Sequence, residues 1–377
     1  MALVLMFVAM GCTTTPESKI ITIENGQFMR NGQPYYFVGT NFWYGAILGS
    51  EGEGGDRERL AKELDFMKAH GIDNLRVLIG GEGENGLLGK IEPNLQPKPG
   101  EYNDEVLAGL DYLLMELGKR DMTAVLYFNN AWEWSGGYTQ YVAWANNEPV
   151  LVPRVDGWFS YNTFAGEFVR NERAKELYYN HVRYIVTRTN RYTGIKYIDD
   201  PAIFSWQISN EPRAFSSKEQ DNKEAFAEWI TTSAKLIREL DPNHMISTGS
   251  EGYYGCEWDM ELCEKIHAID EISYINCHVW PYNWKWMRGD KMQEDLQRSC
   301  ENTEEYINMH IELAEKINKP LVVEEFGMPR DNMDFRKKSG VACRDKYYTF
   351  VFAMIEKAKA EGGKFAGCNF WSWGLHL

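Results

Sequence analysis

AIFSWQISNEP, residues 202–212, is the stretch that decides the fold. A mostly apolar run ends abruptly in Asn210, Glu211 and Pro212. Burying an unpaired carboxylate is costly, so Glu211 should either reach water or take part in chemistry. Proline cannot donate to a strand ladder, so Pro212 stops the strand. The stretch therefore predicts a buried strand with an acid at its carboxyl end.

The same kind of strand recurs along the 377-residue chain. The β-rich runs are YYFVGT, NLRVLI, TAVLYF, AIFSWQIS, MISTGS, ISYINC, PLVVEEF and FAGCNFW. Between most of them, apolar residues recur at three-four spacing in segments that often end before Gly or Asn, which indicates helices. Strands that alternate with helices call for a parallel sheet. A count of eight, without a Gly-rich phosphate loop, favours an α/β fold of the closed (β/α)8 TIM-barrel type over a doubly wound sheet.

The first and last segments of the predicted domain differ from the repeating strand-helix pattern. Asn25-Gly26 and Asn31-Gly32 lie between apolar stretches and predict a small N-terminal β-hairpin. No linker, repeat or second boundary is visible, so residues 20–377 are expected to form one domain. After NFWSWG only residues 375–377 remain, so we expect the eighth helix to be missing. The outer faces of the first and last strands should then be bare.

The first residues, MALVLMFVAMGC, resemble the end of a bacterial lipoprotein signal, in which the cysteine, here Cys12, becomes the lipidated N-terminus. About 10 apolar residues are too few to span a bilayer. We assign residues 1–19 to this signal and a short tether. The protein is expected to be exported, either to the bacterial cell envelope or as a secreted protein. Membrane contact is expected only through the lipid anchor.

The composition narrows the class of ligand. The net charge is −15 and no basic stripe exists, which argues against nucleic acid as a partner. An acidic surface repels polyanions, so an uncharged ligand is expected. Aromatic residues make up 14% of the chain, with 13 Trp and 21 Tyr, more than a core needs. Stacking surfaces for flat neutral ligands such as sugar rings are one use for this surplus.

The cysteines beyond the N-terminus predict little chemistry. Cys256 and Cys263 flank a short loop and are candidates for a disulfide in an oxidising compartment. Cys277 and Cys368 lie in strand-like runs and are expected to be buried thiols. No Cys or His spacing predicts a metal site.

Polar and aromatic side chains follow the predicted strands at the rim where the chemistry of such barrels collects. In chain order they are Asn41 with Trp43, Arg76, Asn129, Asn210 with Glu211, His278 with Trp280, Glu324 with Glu325, and Trp371. Two carboxylates that face each other across a pocket are the minimum equipment for glycoside hydrolysis. One protonates the leaving oxygen, while the other attacks the anomeric carbon or activates water.

These strand ends resemble those of glycoside hydrolase family 5. The resemblance rests on Asn210-Glu211-Pro212 after the fourth strand and Glu325-Phe326-Gly327 after the seventh. Arg76, His278 and Trp371 fall where that family has its Arg, His and Trp. The segments FNNAWEWSGGYTQYVAW and LVVEEFGMPRD are more similar to the β-mannanase branch than to the cellulases.

The resemblance covers the chain after its first twenty residues and implies a retaining double displacement. Glu211 would be the acid/base and Glu325 the nucleophile. Strand alternation lets only one of Glu324 and Glu325 face the substrate, and the family pattern selects Glu325, which precedes the aromatic-Gly pair. Asn210 is expected to bind the sugar 2-hydroxyl, and Arg76 to hold Glu325 ionised by charge pairing.

The resemblance also implies that Trp371 forms the floor under the reacting sugar. At Trp280 the family more often carries Tyr, whose hydroxyl can contact the nucleophile. Further expected substrate-binding residues are His278, Trp280, Asn41, Trp43, Asn129 and Trp132, and the loop aromatics Trp134, Trp158, Trp284 and Trp286 are candidates for more distant sugar positions.

The resulting prediction is an exported hydrolase of β-1,4-mannosidic bonds in mannan, glucomannan or galactomannan. It is expected to act as a monomer, without cofactor or metal. Three alternatives stay open: an exo-acting β-mannosidase, a β-1,4-glucanase of the same family, and a non-catalytic glycan-binding lipoprotein. The long loops after the third and sixth strands either line an open cleft or block one end, and the sequence does not decide between these.

Overall fold

A computed structural model describes residues 20–374, so the predicted signal over residues 1–19, including Cys12, lies outside the described residues. Three short strands, β1 (Thr22–Glu24), β2 (Gln27–Arg30) and β3 (Gln33–Pro34), form an antiparallel sheet. Eight parallel strands follow: β4 (Phe37–Asn41), β5 (Ile72–Leu78), β6 (Thr123–Tyr127), β7 (Ile203–Gln207), β8 (Met245–Ser247), β9 (Ile275–Val279), β10 (Leu321–Phe326) and β11 (Phe365–Phe370). Each predicted β-rich run overlaps one of these eight.

The eight strands close into the predicted barrel. Their hydrogen-bonded order is β8-β7-β6-β5-β4-β11-β10-β9, so β4 and β11, the first and last in the chain, are neighbours. The seam between β8 and β9 is bridged where the backbone N–H of Ser273 donates to the carbonyl of Ile246 at 2.8 Å. Because the strands are parallel, all their carboxyl ends meet at one rim.

Helices surround the barrel. They are α1 (Gly45–Leu48), α2 (Arg57–Ala69), α3 (Asp104–Lys119), α4 (Gly137–Asn146), α5 (Pro153–Asp156), α6 (Trp158–Ala165), α7 (Glu172–Val186), α8 (Lys223–Leu240), α9 (Met260–His267), α10 (Met292–Ile317) and α11 (Ala342–Glu361). Asp56, Asn103, Asn171 and Asp259 cap the first turns of α2, α3, α7 and α9. Within residues 20–374 no helix has the length and apolarity needed to cross a bilayer.

The N-terminal sheet plugs the amino end of the barrel. Phe28 of β2 packs edge-on against Phe204 and Tyr274, with ring centroids 5.2 and 5.4 Å away. The single predicted hairpin is in fact two, because both Asn-Gly pairs turn the chain: Asn25 and Asn31 take positive φ. The main core lies outside the barrel, between the strands and the helices.

The strands β4 and β11 are largely covered, so the prediction of bare outer faces is wrong. Phe365 and Cys368 are buried, and Val38 and Phe370 are partly buried. Helix α11 packs on β11, and Trp373 lies against Phe370 at a centroid distance of 6.4 Å. Within residues 20–374, β11 is the last helix or strand.

The candidate disulfide is absent: Cys256 and Cys263 are both free thiols in the core. The two thiols are nevertheless in contact, because a side-chain hydrogen bond joins Cys263 to Cys256. Each also has a second polar neighbour. The Cys256 Sγ lies 3.9 Å from the Ser250 Oγ, and the Cys263 Sγ lies 3.6 Å from the His267 Nδ1. The predicted buried thiols, Cys277 and Cys368, are in place.

Candidate active site

The two predicted carboxylates meet at the mouth of the barrel. Glu211 follows β7 with a φ of 49°, and its N–H donates to the Gly249 carbonyl at 2.9 Å, which turns the chain out of the strand. Glu325 lies near the end of β10. One oxygen of each carboxylate and a nitrogen of His278 all lie within 4.8 Å of one another. Retaining glycosidases have carboxyl groups about 5–5.5 Å apart, whereas inverting enzymes have about 6.5–9.5 Å.

Arg76 organises the surroundings of Glu325. The fully buried guanidinium donates through Nη1 to the Glu325 Oε1 at 2.5 Å and to the Asn41 Oδ1 at 3.1 Å. It also donates through Nη2 to the Asn210 Oδ1 at 2.8 Å and through Nε to the Gln207 Oε1 at 2.8 Å. One side chain of β5 thus fixes the positions of groups from β4, β7 and β10.

His278 joins the two carboxylates. Its Nδ1 lies 2.8 Å from the Glu211 Oε1 and 3.6 Å from the Glu325 Oε2. Burial, and then the charge of Arg76, lower the pKa of His278 to about 3, so the ring is neutral at neutral pH. A neutral imidazole with its proton on Nδ1 donates to Glu211.

Burial is the largest influence on both carboxylates. It raises the pKa of Glu325 well above its ordinary value, and Arg76 is the strongest opposing group. Burial also raises the pKa of Glu211, against the charge of Arg213, the indole of Trp132 and, more weakly, Arg76 and Trp280. The predicted charge pair of Arg76 with Glu325 is present, but it only partly offsets the effect of burial.

Glu324 lies below the site rather than in it. Its Oε2 accepts hydrogen bonds from the Gln207 Nε2 and the Asn276 Nδ2, both at 2.5 Å, and its Oε1 accepts one from the Tyr274 hydroxyl at 2.9 Å. Its side chain is wholly buried. Alternation along β10 therefore places Glu325, and not Glu324, at the cavity.

An aromatic cavity of about 680 Å³ opens above the two carboxylates. Such volumes are typical of ligand sites. It is lined by Glu211, Glu325, Asn210, Trp132, Glu133, Trp134, Trp158, Asn162, Arg213, Glu251, Trp280, Asn283, Trp284 and Trp371. The walls near the carboxylates are held by ring contacts: Trp371 lies 6.1 Å from Trp280 and 6.4 Å from Trp134 between centroids.

Six of the predicted binding residues do not line this cavity. Arg76 and His278 are fully buried and contact its two carboxylates. Asn41 is buried beneath it, where its Nδ2 donates to the Glu324 carbonyl at 2.8 Å while its Oδ1 accepts from Arg76. Asn129 is also fully buried. Trp43 lies behind Trp134, at a centroid distance of 5.8 Å, and Trp286 packs against Trp284 and Tyr306. These four side chains therefore lie outside the cavity lining.

Three charged residues of the cavity were not predicted: Glu133, Arg213 and Glu251. Arg213 follows Pro212 directly, and its Nη2 is hydrogen-bonded to the Glu251 Oε2. Its guanidinium also lies 5.3 Å from the centre of the Trp132 ring. Burial raises the pKa of Glu251 to about 7. The signal was available, since Glu251 follows the fifth predicted strand, MISTGS, just as Glu211 follows the fourth.

The same central atoms are the one metal-binding arrangement among residues 20–374. Glu211, His278 and Glu325 offer two carboxylate oxygens and a ring nitrogen at suitable spacing. Because those atoms also surround the point where a reacting bond would lie, a cation there would compete with a substrate.

A (β/α)8 barrel with two close carboxylates on its fourth and seventh strands, under an aromatic cavity, defines a glycoside hydrolase. The chain belongs to glycoside hydrolase family 5: residues 18–376 match the family model described as GH family 5 beta-mannosidase-like.

Curated relatives and solved structures agree with this family. Putative mannan endo-1,4-beta-mannosidase 9 of Oryza sativa subsp. japonica is 29% identical over 366 residues, which cover 93% of this chain and 82% of the relative. Mannan endo-1,4-beta-mannosidase 7 of Arabidopsis thaliana is 28% identical, over 96% of this chain and 79% of the relative. The glycoside hydrolase family 5 mannosidase from Rhizomucor miehei is 32% identical, with a TM-score of 0.87 over 96% of this chain and 87% of that structure. A mutant of that enzyme was crystallised with mannosyl-fructose.

Proposed function

We propose that this protein hydrolyses β-1,4-mannosidic bonds in mannan, glucomannan or galactomannan, with retention of configuration at the anomeric carbon. The observation that carries the proposal is the spacing of Glu211 and Glu325, which have oxygens within 4.8 Å of each other in an aromatic cavity. The names of the relatives, mannan endo-1,4-beta-mannosidases and a family 5 mannosidase, support the choice of mannosidic bonds.

The reaction takes two steps that exchange the roles of one carboxyl group. In the first step an oxygen of Glu325 bonds to the anomeric carbon while the bond to the leaving sugar breaks, and Glu211 gives its proton to the leaving oxygen. In the second step Glu211 takes a proton from water as the water oxygen attacks the anomeric carbon. The bond from the anomeric carbon to Glu325 breaks as the bond to water forms, and two inversions give net retention.

The starting state needs one proton on the pair, and its location follows from the contacts. Two carboxylates this close titrate as a coupled pair, so they keep one proton over a range of pH. Glu325 has a guanidinium nitrogen at 2.5 Å, whereas Glu211 accepts from the neutral donors Trp132 and His278. A direct cation favours the charged form more than neutral donors do. The charge of Arg213 also favours ionised Glu211, but its guanidinium is hydrogen-bonded to Glu251. We therefore place the proton on Glu211, as the first step requires.

Two further groups are proposed to bind the reacting sugar. Asn210 is held by Arg76 and donates to the Asn130 Oδ1 at 3.0 Å, so its amide has a fixed direction beside Glu211. It is suited to hold the 2-hydroxyl. Trp371 lines the cavity beside Glu325 and offers a flat surface under the ring.

The direct test is hydrolysis of matched oligosaccharides. The protein is incubated with mannohexaose and, as control, with cellohexaose, and the products are separated over time. We expect cleavage of mannohexaose and retention of the β-configuration by NMR. Cleavage of cellohexaose alone would make the protein a β-1,4-glucanase, and cleavage of neither would favour the non-catalytic glycan-binding alternative. Mannose as the first product would identify exo action, and a mixture of longer products endo action.

We propose, in addition, that the chain is exported and anchored through a lipid on Cys12, and that it acts as a monomer. The support for the anchor is the apolar stretch that ends in Gly11 and Cys12. The test is labelling with a radioactive fatty acid in a bacterial host, where Cys12→Ser should lose the label. Light scattering after gel filtration measures the oligomeric state.

A further inference from the structure

We infer that helix α6 forms a sugar-binding position on the leaving-group side of the cleaved bond, with Trp158 and Asn162 as its contact residues. This position would bind the second or a later sugar unit beyond that bond. The inference deepens the proposed function and rests on it, since it requires a sugar chain that extends past Glu211.

Contacts with Glu211 identify the leaving-group side of the cavity. The Trp132 Nε1 donates to the Glu211 Oε2 at 2.5 Å, so Trp132 lies beside the group that protonates the leaving oxygen. The next ring outward is Trp158, whose centroid lies 6.2 Å from that of Trp132 at an interplanar angle of 81°. Trp158 is therefore one ring farther from the bond on the side from which the leaving sugar departs.

The two indoles form a corner that suits a pyranose ring. Trp158 lines the cavity and yet is 57% exposed, so its face is free to be covered. A sugar that packs its C–H face on Trp158 would present an edge to Trp132, and such contacts bury apolar area and exploit the ring quadrupole. Water otherwise covers this large apolar surface at the cavity wall.

Asn162 supplies the polar half of this position. It lies four residues after Trp158 on α6, so both side chains occupy one face of the helix, and both line the cavity. Within residues 20–374 its side-chain amide makes no hydrogen bond to another residue. The amide thus offers two N–H donors and an acceptor to sugar hydroxyls.

The same helix provides a matched control. Phe159 directly follows Trp158 and is 83% exposed, but it does not line the cavity. A substitution at Phe159 removes a similar exposed aromatic ring from α6 without touching the proposed position. Any effect on the folding of α6 should therefore appear in both variants.

The experiment compares Trp158→Ala and Phe159→Ala on a long and a short substrate. The long substrate is mannohexaose. The short one is 4-nitrophenyl β-mannoside or β-mannobioside, whichever the wild type cleaves, because its single-ring leaving group ends before α6. Stacking of this kind contributes about a tenfold factor to the binding affinity. We expect Trp158→Ala to lower kcat/KM about tenfold on mannohexaose and less than twofold on the short substrate, and Phe159→Ala to change neither.

The cleavage position in mannohexaose gives a second readout. It is measured with substrate labelled at the reducing end. Trp158→Ala should reduce the share of cuts that release two or more units on the leaving side. Equal losses on both substrates, an equal loss in Phe159→Ala, or no loss at all would overturn the inference. A wild type that cleaves neither mannohexaose nor the aryl substrate would instead refute the proposed function.

Discussion

Glu324 and Glu325 are consecutive residues of β10, but they lie in two different regions of the barrel. Glu324 points into the interior, where three donors saturate its oxygens and no solvent reaches it. Glu325 points to the mouth, where Arg76 holds one oxygen and the cavity lies open beside the other. A carboxylate saturated with donors is a structural acceptor, whereas one with a cation on one side and space on the other is available to react.

The largest expected effect comes from removing the carboxylate at the mouth. Glu325→Ala should lower kcat on mannohexaose by about 10⁴-fold or more, because no covalent intermediate can form. Added azide should fill the space and restore turnover, with a glycosyl azide of inverted configuration as product. NMR of the product measures the configuration. No azide rescue, together with a normal thermal unfolding curve, would contradict the nucleophile assignment.

The second carboxylate at the mouth should show a different signature. Glu211→Ala removes the proton donor, which typically contributes about 10²–10⁴-fold. The loss should be greatest for mannohexaose, whose leaving oxygen needs a proton, and small for a dinitrophenyl mannoside, whose leaving group does not. Steady-state rates on the two substrates measure this difference. Similar losses on both would mean that Glu211 is not the acid.

Glu324→Gln tests whether Glu324 has a structural role that is distinct from the catalytic role of Glu325. The new amide would point donors at the donors of Gln207 and Asn276, so buried hydrogen bonds are lost at a cost of about 1–3 kcal/mol in the free energy of unfolding. Activity should fall by only about tenfold, because the residue does not reach the substrate. Urea unfolding and kcat measure the two effects. A loss of activity as large as in Glu325→Gln, at unchanged stability, would show that the two regions are not distinct.

The smallest effect concerns the hydrogen bond from Trp132 to Glu211. Trp132→Phe removes a donor that lowers the pKa of Glu211, so this pKa should rise. Glu211 then keeps its proton to higher pH, and the alkaline limb of kcat/KM on the short aryl substrate should move upward. The rate itself should fall by about a few-fold, the strength of one hydrogen bond to a neutral group, because Glu211 is protonated in the starting state. An alkaline limb that moves to lower pH would refute the assignment of Trp132 as a donor that stabilises ionised Glu211.

The fold was predictable because its signals are local. Each β-rich run became a barrel strand, and alternation with helices sufficed to choose a barrel. The rim positions of Glu211, Arg76, His278 and Glu325 followed, since parallel strands bring their carboxyl ends together. The choice between Glu324 and Glu325 also needed only the period of two along a strand and a local motif.

Contacts between side chains that are far apart in the sequence could not be predicted. Asn41 and Asn129 follow strands as Asn210 does, yet both are fully buried and neither lines the cavity. The pairing of Arg213 with Glu251 depends on two separate loops. Cys256 and Cys263 do meet in the packed core, yet both are free thiols, and each has a further polar neighbour that the sequence did not indicate.

The partners of Arg76 have a consequence for how the molecule folds. They lie 35, 131, 134 and 249 residues away along the chain, in Asn41, Gln207, Asn210 and Glu325. Contacts of such long sequence separation form late, since a large loop must close for each of them. A partly closed barrel would hold a buried cation without its acceptors, which is costly. We therefore expect the site to assemble only when β4, β5, β7 and β10 have all docked, so that recovery of turnover during refolding would report closure of the barrel.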